Sequence, residues 1–229
     1  MTKPISIERH IETGSWKELE SIALHEIAHA EEQSGSKMNP VLGGGTRLML
    51  DLKHRVSDDI DLFVTSPQWI GYLTPRLTDR HAHGLQDYVE GGASLKLIYP
   101  QGEIDFICCL NLTSLEPENV TGTSFQCEDM YEVLAKKLFH RGATLTARDL
   151  FDWRALLEIA PDPTKESEVL QICERKLDSI CAALDFMGGS KAAELSWSLI
   201  KTHLSFELRD SIQFVKERLG ATPASGPKG

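Results

Sequence analysis

No apolar run in this 229-residue chain approaches the roughly 18 residues a helix needs to cross a bilayer, so no membrane association is expected. The first residues, MTKPISIERHIETG, lack the apolar core of a secretion signal. There is no C-x-x-C pair, and the cysteines (Cys108, Cys109, Cys127, Cys173, Cys181) are odd in number. They read as reduced thiols, mostly buried as small hydrophobes, in a cytoplasmic protein. The sequon Asn111-Leu112-Thr113 then carries no glycan. Internal repeats and low-complexity runs are also lacking. An excess of positive charge is missing too: 24 basic against 34 acidic side chains leave a net charge of -10. That excludes a surface coated in basic residues, but not a local positive groove for nucleic acid.

What is present is ordinary for a packed protein. With 41% hydrophobic and 25% charged residues the chain can bury a core, and its length suits one large domain or two small ones. The charge is uneven. Residues 1–128 carry 10 basic and 19 acidic side chains, and residues 129–229 carry 14 and 15.

The patterning changes at the same place. Trp16, Leu19, Ile22, Ala23, Ile27 and Ala30 recur at helical spacing and predict a helix over 16–32. A short approach at Val41 and Leu42 leads through three glycines to a helix over 46–54, a strand over 59–64 and a helix over about 67–79. Residues 85–90, 94–99 and the run from Glu103 (EIDFICCL) read as strands, the last two joined by a turn at Pro100-Gln101-Gly102. From Asp129 the period is helical, with helices expected near 129–141, 146–159, 165–185, 190–203 and 206–219. The tail ATPASGPKG is expected to fray. The expected organisation is therefore an α/β domain over 1–128 and a helical domain over 129–229.

The chemistry gathers in the first part. Asp59 and Asp61 flank Ile60, and strand side chains two apart point to one face. Asp105 lies alone in a second, apolar strand, where an unpaired carboxylate is costly. If the strands are neighbours, three carboxylates converge. Like charges so placed need neutralising, which a hard divalent cation such as Mg²⁺ does with carboxylates and substrate phosphates. Alternatively these are strand-end or surface acids. Gly43-Gly44-Gly45-Thr46 precedes a helix, and backbone N–H groups at such a start form an anion site. Thr46 can cap the helix or donate to a phosphate, and a plain glycine turn with a threonine cap is the structural alternative.

The order Gly43 to Thr46, Arg55, Ser57, Asp59 and Asp61 resembles the nucleotidyltransferases of the DNA polymerase β superfamily, and more narrowly the AbiEii-type toxins of bacterial toxin–antitoxin and phage-defence systems. YEVLAKKLFHRGATLTARDLFDW resembles that family's A-x-K-L … R … R-D-L-x-D-L segment. The matching stretches are about 42–64, 94–107 and 131–157. One departure is an extra acid, Asp58, expected to face away from the pair.

The resemblance implies an α+β fold: a polymerase-β-like α/β domain with a mixed sheet, then a C-terminal helical bundle completing the active-site cleft. It implies Mg²⁺ (or Mn²⁺) held by Asp59, Asp61 and Asp105, and an NTP bound through Gly44, Gly45, Thr46, Arg55, Ser57, Lys137 and Asp149. The acceptor would be a hydroxyl, at the 3′ end of a tRNA, on a protein or on a small molecule, and the partner a cognate antitoxin.

Structural readings stand beside these. Lys137 borders the apolar stripe Val133–Leu134–Leu138, where it can serve a triphosphate or cover apolar surface. Thr146-x-x-Asp149 is a capping-box pattern, so a structural role is expected for Asp149. Arg47 and Arg148 are further phosphate candidates. Lys136, Lys137, Arg141, Arg148 and Arg154 crowd into one stretch, where an RNA acceptor would be expected to dock. A catalytically degenerate nucleotide- or partner-binding module is the alternative function. His25-Glu26-Ile27-Ala28-His29 matches the H-E-x-x-H zinc-protease motif, a third reading. No third zinc ligand is evident, since Glu32 and Gly35 stand where the extended motif needs Gly and His. His81-x-His83 is read as loop without a partner.

Overall fold

The computed structural model describes residues 6–77 and 81–220. The expected fraying of 221–229 and the end of the helix expected over 67–79 fall outside them. Two compact units form, one of Met1–Asn111 and Leu115–Asp129, the other of Leu112–Ser114 and Met130–Gly229.

The first unit contains helices α1 (Ile7–Thr13), α2 (Ser15–Ser34), α3 (Gly44–Leu52) and α4 (Gln68–Leu73). Its strands are β1 (Val41–Gly43), β2 (Ile60–Val64), β3 (Asp87–Glu90), β4 (Ser94–Tyr99), β5 (Gly102–Cys108), β6 (Glu118–Asn119) and β7 (Gln126–Cys127). They make one mixed sheet in the order β3-β4-β5-β2-β1-β7-β6. The β2–β5 and β1–β7 pairs are parallel, the others antiparallel.

Period-two alternation sets the two faces. Ile60, Leu62 and Val64 of β2, Leu95, Leu97 and Tyr99 of β4, and Ile104 and Phe106 of β5 are buried. They form one core with Trp16, Leu19, Ala23, Ile27 and Ala30 of α2 and Trp69, Ile70 and Leu73 of α4. Each such side chain contributes about 1.5–3 kcal/mol by leaving water. The opposite face carries the intervening half-buried residues: Asp61, Phe63, Lys96, Ile98, Glu103, Asp105 and Ile107.

Glu26 belongs to the core side and is 2% exposed. It accepts from the backbone N–H of Ala82 (2.6 Å) and from Tyr99 Oη (3.2 Å), and lies 2.9 Å from His81 Nδ1. Burial, then Glu26, pushes the Tyr99 hydroxyl pKa up. Glu26 thus ties α2 to β4 and to the segment before β3. Glu26→Ala leaves buried donors without an acceptor, and urea denaturation is expected to show a loss of about 2–3 kcal/mol.

The helical unit comprises α5 (Met130–Arg141), α6 (Ala147–Ile159), α7 (Pro163–Ile172), α8 (Leu177–Gly188), α9 (Lys191–Ser198) and α10 (Leu208–Gly220). The single helix expected over 165–185 is two, because the chain passes through a 3₁₀ turn at Glu174–Lys176. Asp162 caps α7, accepting from Thr164 and Lys165, with Pro163 in its first turn. Residues 112–114 join this unit because buried Glu132 accepts from the N–H groups of Leu112 (2.9 Å) and Thr113 (2.8 Å) and from the Thr113 hydroxyl (2.6 Å).

None of the five cysteines is in a disulfide; Cys127 and Cys173 are buried, whereas Cys108, Cys109 and Cys181 are half-buried, so fewer are buried than expected. Burial pushes Cys127 and Cys173 up to about 11, which keeps both protonated and unreactive near neutral pH.

Candidate active site

Strand register places the site. Gly43 of β1 lies opposite Asp61 of β2, Asp61 opposite Asp105 of β5, and Asp105 opposite Lys96 of β4. Directly opposed residues share a face, so these four positions form a row across four adjacent strands. Asp61 and Asp105 are therefore neighbours on the face away from the core. Burial first, then the charge of Asp61, pushes Asp105 up to about 6, against the partial offset of Lys96.

Lys96 is a functional candidate that the sequence reading missed. Its Nζ lies 3.2 Å from Asp105 Oδ2 and donates to Glu103 Oε2. Burial works against its charge, but Glu103 and Asp105 outweigh that and raise its pKa. The available signal was the alternation in SLKLIY, which puts Ser94, Lys96 and Ile98 on one face. Which residue Lys96 would meet depended on register.

The glycine turn folds onto this row. Helix α3 begins at Gly44, two residues before the expected start, so the first-turn N–H groups include those of Gly44 and Gly45. Gly44 has φ +65°, and a Cβ there would stand 1.7 Å from Asp61 Oδ2. Only glycine lets the backbone lie against that carboxylate. A Cβ on Gly45 would stand 2.6 Å from the Arg55 guanidinium and 2.8 Å from Ser57 Oγ. The turn, Arg55 and Ser57 thus gather in one place. Backbone donors at a helix start with a guanidinium beside them suit a phosphate chain.

Thr46 departs from both expected roles. It is fully buried and donates its hydroxyl to the Asp59 carbonyl, so it neither caps the helix nor faces outward. It fixes the backbone at the entrance to β2. Asp59 lies just before that strand, and its Oδ1 accepts the Glu103 N–H at 3.1 Å. Asp58 turns away as expected, toward Ser15 and His10 (3.2 Å).

The expected convergence of three carboxylates is thus a pair, Asp61 and Asp105, with Asp59 drawn to the backbone of β5. Among the described residues no three His, Cys, Asp or Glu side chains could hold a metal ion by themselves. Two adjacent carboxylates beside a glycine turn at a helix start nevertheless fit Mg²⁺, which commonly takes one or two carboxylates, substrate phosphates and water.

In the helical unit, Lys137 reaches inward to Asp149 Oδ1 (2.6 Å) and Asp152 Oδ2 (3.0 Å), both of whose side chains are 1% exposed. Asp149 also completes the capping box with Thr146, as its spacing predicts. Burial opposes charge on Asp149, but Lys137 and Arg141 outweigh it and hold the carboxyl below its usual range. Asp149 is positioned to orient Lys137 from inside the unit, not to meet solvent.

The crowded basic stretch is not a basic surface. Lys136 is buried on Glu132 at 3.4 Å. Arg154 pairs with Glu158 and stacks over Phe214. Arg141 and Arg148 are the two exposed members. Arg47 is likewise spent internally: it is fully buried, on Asp51 (2.8 Å), Glu118 (2.7 Å) and the Glu128 carbonyl (2.5 Å).

The H-E-x-x-H motif is structural. Its glutamate is the buried acceptor for His81 and Tyr99, while His25 is exposed and His29 lies near Gln33. His81, read as loop without a partner, is the residue that engages it.

The family model described as nucleotidyl transferase AbiEii toxin, type IV toxin–antitoxin system, matches residues 28–213. The chain belongs to the AbiEii nucleotidyltransferase toxin family. No curated protein sequence matches it. Among solved structures it is similar to MenT4, a nucleotidyltransferase toxin from Mycobacterium tuberculosis, with a TM-score of 0.51 at 15% identity over 93% of this chain and 87% of that one. JHP933 from Helicobacter pylori gives a TM-score of 0.44 at 16% identity over 86% and 90% of the two chains. The antibiotic-resistance factor ANT(2'')-Ia gives 0.43 at 15% over 74% and 96%. The α+β fold of this AbiEii family member is the polymerase-β-like nucleotidyltransferase fold, as the resemblance implied.

Proposed function

We propose that this toxin-family transferase moves a nucleoside monophosphate from an NTP to an acceptor hydroxyl and releases pyrophosphate. The observation that carries the reading is the row in which Gly43, Asp61 and Asp105 face one way, with the Gly44 backbone against the Asp61 carboxylate. Asp61 and Asp105 would hold Mg²⁺ (or Mn²⁺), while Asp59, whose Oδ1 accepts the Glu103 N–H, would hold β2 against β5. The ion, when bound, neutralises developing charge on the transferred phosphoryl group.

The chain's own groups do the rest. The N–H groups of Gly44 and Gly45, with Arg55 and Ser57, bind and orient the β and γ phosphates. Thr46 acts through Asp59, whose backbone it holds. In the helical unit Lys137, oriented by Asp149, is a further candidate point charge for phosphate. Asp105 would also help to draw the proton from the acceptor hydroxyl. The acceptor we favour is the 3′ end of a tRNA, and the setting is the cytoplasm, with a cognate antitoxin restraining the protein.

Incubation with each labelled NTP, Mg²⁺ and total RNA or lysate tests this. Label is expected in the RNA fraction and to vanish with EDTA. NTP binding by calorimetry without transfer to any acceptor would instead mark a degenerate nucleotide-binding module.

A further inference from the structure

The row across the sheet does not end at the carboxylates. The member beyond Asp105 is a cation built into the chain. Lys96 stands opposite Asp105 in register, one third exposed, with Nζ 3.2 Å from Asp105 Oδ2. Its second partner, Glu103, is two residues earlier on the same strand and therefore on the same face. Asp105 is thus held between a like charge on β2 and an opposite charge on β4.

A divalent ion bound by Asp61 and Asp105 has to approach the same carboxylate that Lys96 already engages. An ammonium and a divalent cation close to one oxygen repel each other, so they cannot both hold it at full strength. The formal charges point the same way. Asp61, Asp105 and Glu103 carry three negative charges against the single positive charge of Lys96, so one divalent ion brings this group to neutrality.

We infer that Lys96 is a tethered competitor for the divalent cation: a positioning residue that holds Asp105 beside Asp61 in the cation-free protein and yields its oxygen when the ion binds. Lys96 would weaken the resting affinity for the ion. Tight loading would then wait for an NTP, whose phosphates bring further ligands. The inference rests on reading Asp61 and Asp105 as cation ligands.

Mn²⁺ binding without nucleotide tests it directly, because bound Mn²⁺ loses the free ion's six-line resonance signal. Lys96→Met is expected to bind Mn²⁺ about tenfold more tightly than the unaltered protein. Lys96→Arg, which keeps the charge, is expected to stay close to the unaltered value. The Lys96→Met melting temperature at pH 8 in EDTA is expected to fall, and to recover on adding Mn²⁺ by more than the unaltered protein gains. Lys96→Gln repeats the comparison if the methionine variant does not fold.

Equal or weaker Mn²⁺ binding in the uncharged variants overturns the inference. If the unaltered protein binds Mn²⁺ and Asp61→Asn abolishes it, while Lys96→Met changes nothing, this inference alone fails. If the unaltered protein, Lys96→Met and Asp61→Asn are alike in binding none, the proposed cation site fails with it.

Discussion

Gly44→Ala is expected to silence nucleotidyl transfer about as completely as Asp61→Ala, although it removes no functional group. The added methyl would stand 1.7 Å from Asp61 Oδ2, far inside contact distance, so the carboxylate or the turn must move. Alanine also resists the φ of +65° that Gly44 adopts, at a cost of about 1–2 kcal/mol. Both effects fall on the turn that faces the proposed metal ligand. A loss of about 100-fold or more in label transfer is expected for each variant, the scale seen when a preorganised electrostatic group is displaced. Gly45→Ala is the informative contrast. Its methyl meets the ends of the Arg55 and Ser57 side chains and leaves Asp61 in place. It should fold normally and lose less, about tenfold, mainly through weaker NTP binding. Equal activity in Gly44→Ala and the unaltered protein would separate the glycine turn from the reaction.

Asp105→Asn is expected to make the cation-free protein more stable at pH 8, by about 1–3 kcal/mol. Asp105 titrates near 6 in the folded chain, against about 3.9 when unfolded. Below about pH 4 both states keep the proton, and the group costs nothing. As pH rises toward 6 and beyond, the folded state must give up a proton it holds more tightly, and stability falls until the group is fully ionised. Burial beside Asp61 is the cause, so an uncharged side chain relieves it. The lower end of the range allows for the ion pair with Lys96 that the substitution also removes. Urea denaturation in EDTA at pH 4, 6 and 8 checks the sign: the gain should grow with pH and vanish near pH 4. Added Mn²⁺ should reverse the order at pH 8 by stabilising only the carboxylate form.

The sequence made some of this legible and hid the rest for identifiable reasons. Alternation in β2 and β5 put Ile60, Leu62, Ile104 and Phe106 on the core side and left Asp61 and Asp105 on the other, as period two requires. The Thr146–Asp149 cap was readable from its spacing. Helix α1 was not, because seven residues give too few turns to establish a period. The two-residue strands β6 and β7 carry no pattern at all. The break at Cys173 lacks the glycine or proline that usually announces a helix end. The larger misreadings concern charge. Lys136 and Arg154 look like part of a nucleic-acid surface in one dimension and Arg47 like a phosphate ligand, but each is committed to a carboxylate in the folded chain. Asp59 was placed with Asp61 by period two, but it lies just outside the strand where that period holds.

The position of β1 has a consequence for synthesis. This three-residue strand leads directly into the glycine turn, and one of its edges is covered by β2, its near neighbour in sequence. The other edge is covered by β7, for which the chain must return from residue 126, while Arg47 at the base of α3 clamps the Glu128 carbonyl and Glu118. A nascent chain that has already made Asp61 and Asp105 still lacks this flank of the cradle. Elements that close over long sequence separations form late, because the loop entropy must be met first. The glycine turn should therefore become rigid only once residue 128 has cleared the ribosome, so the proposed active site is completed last in this unit.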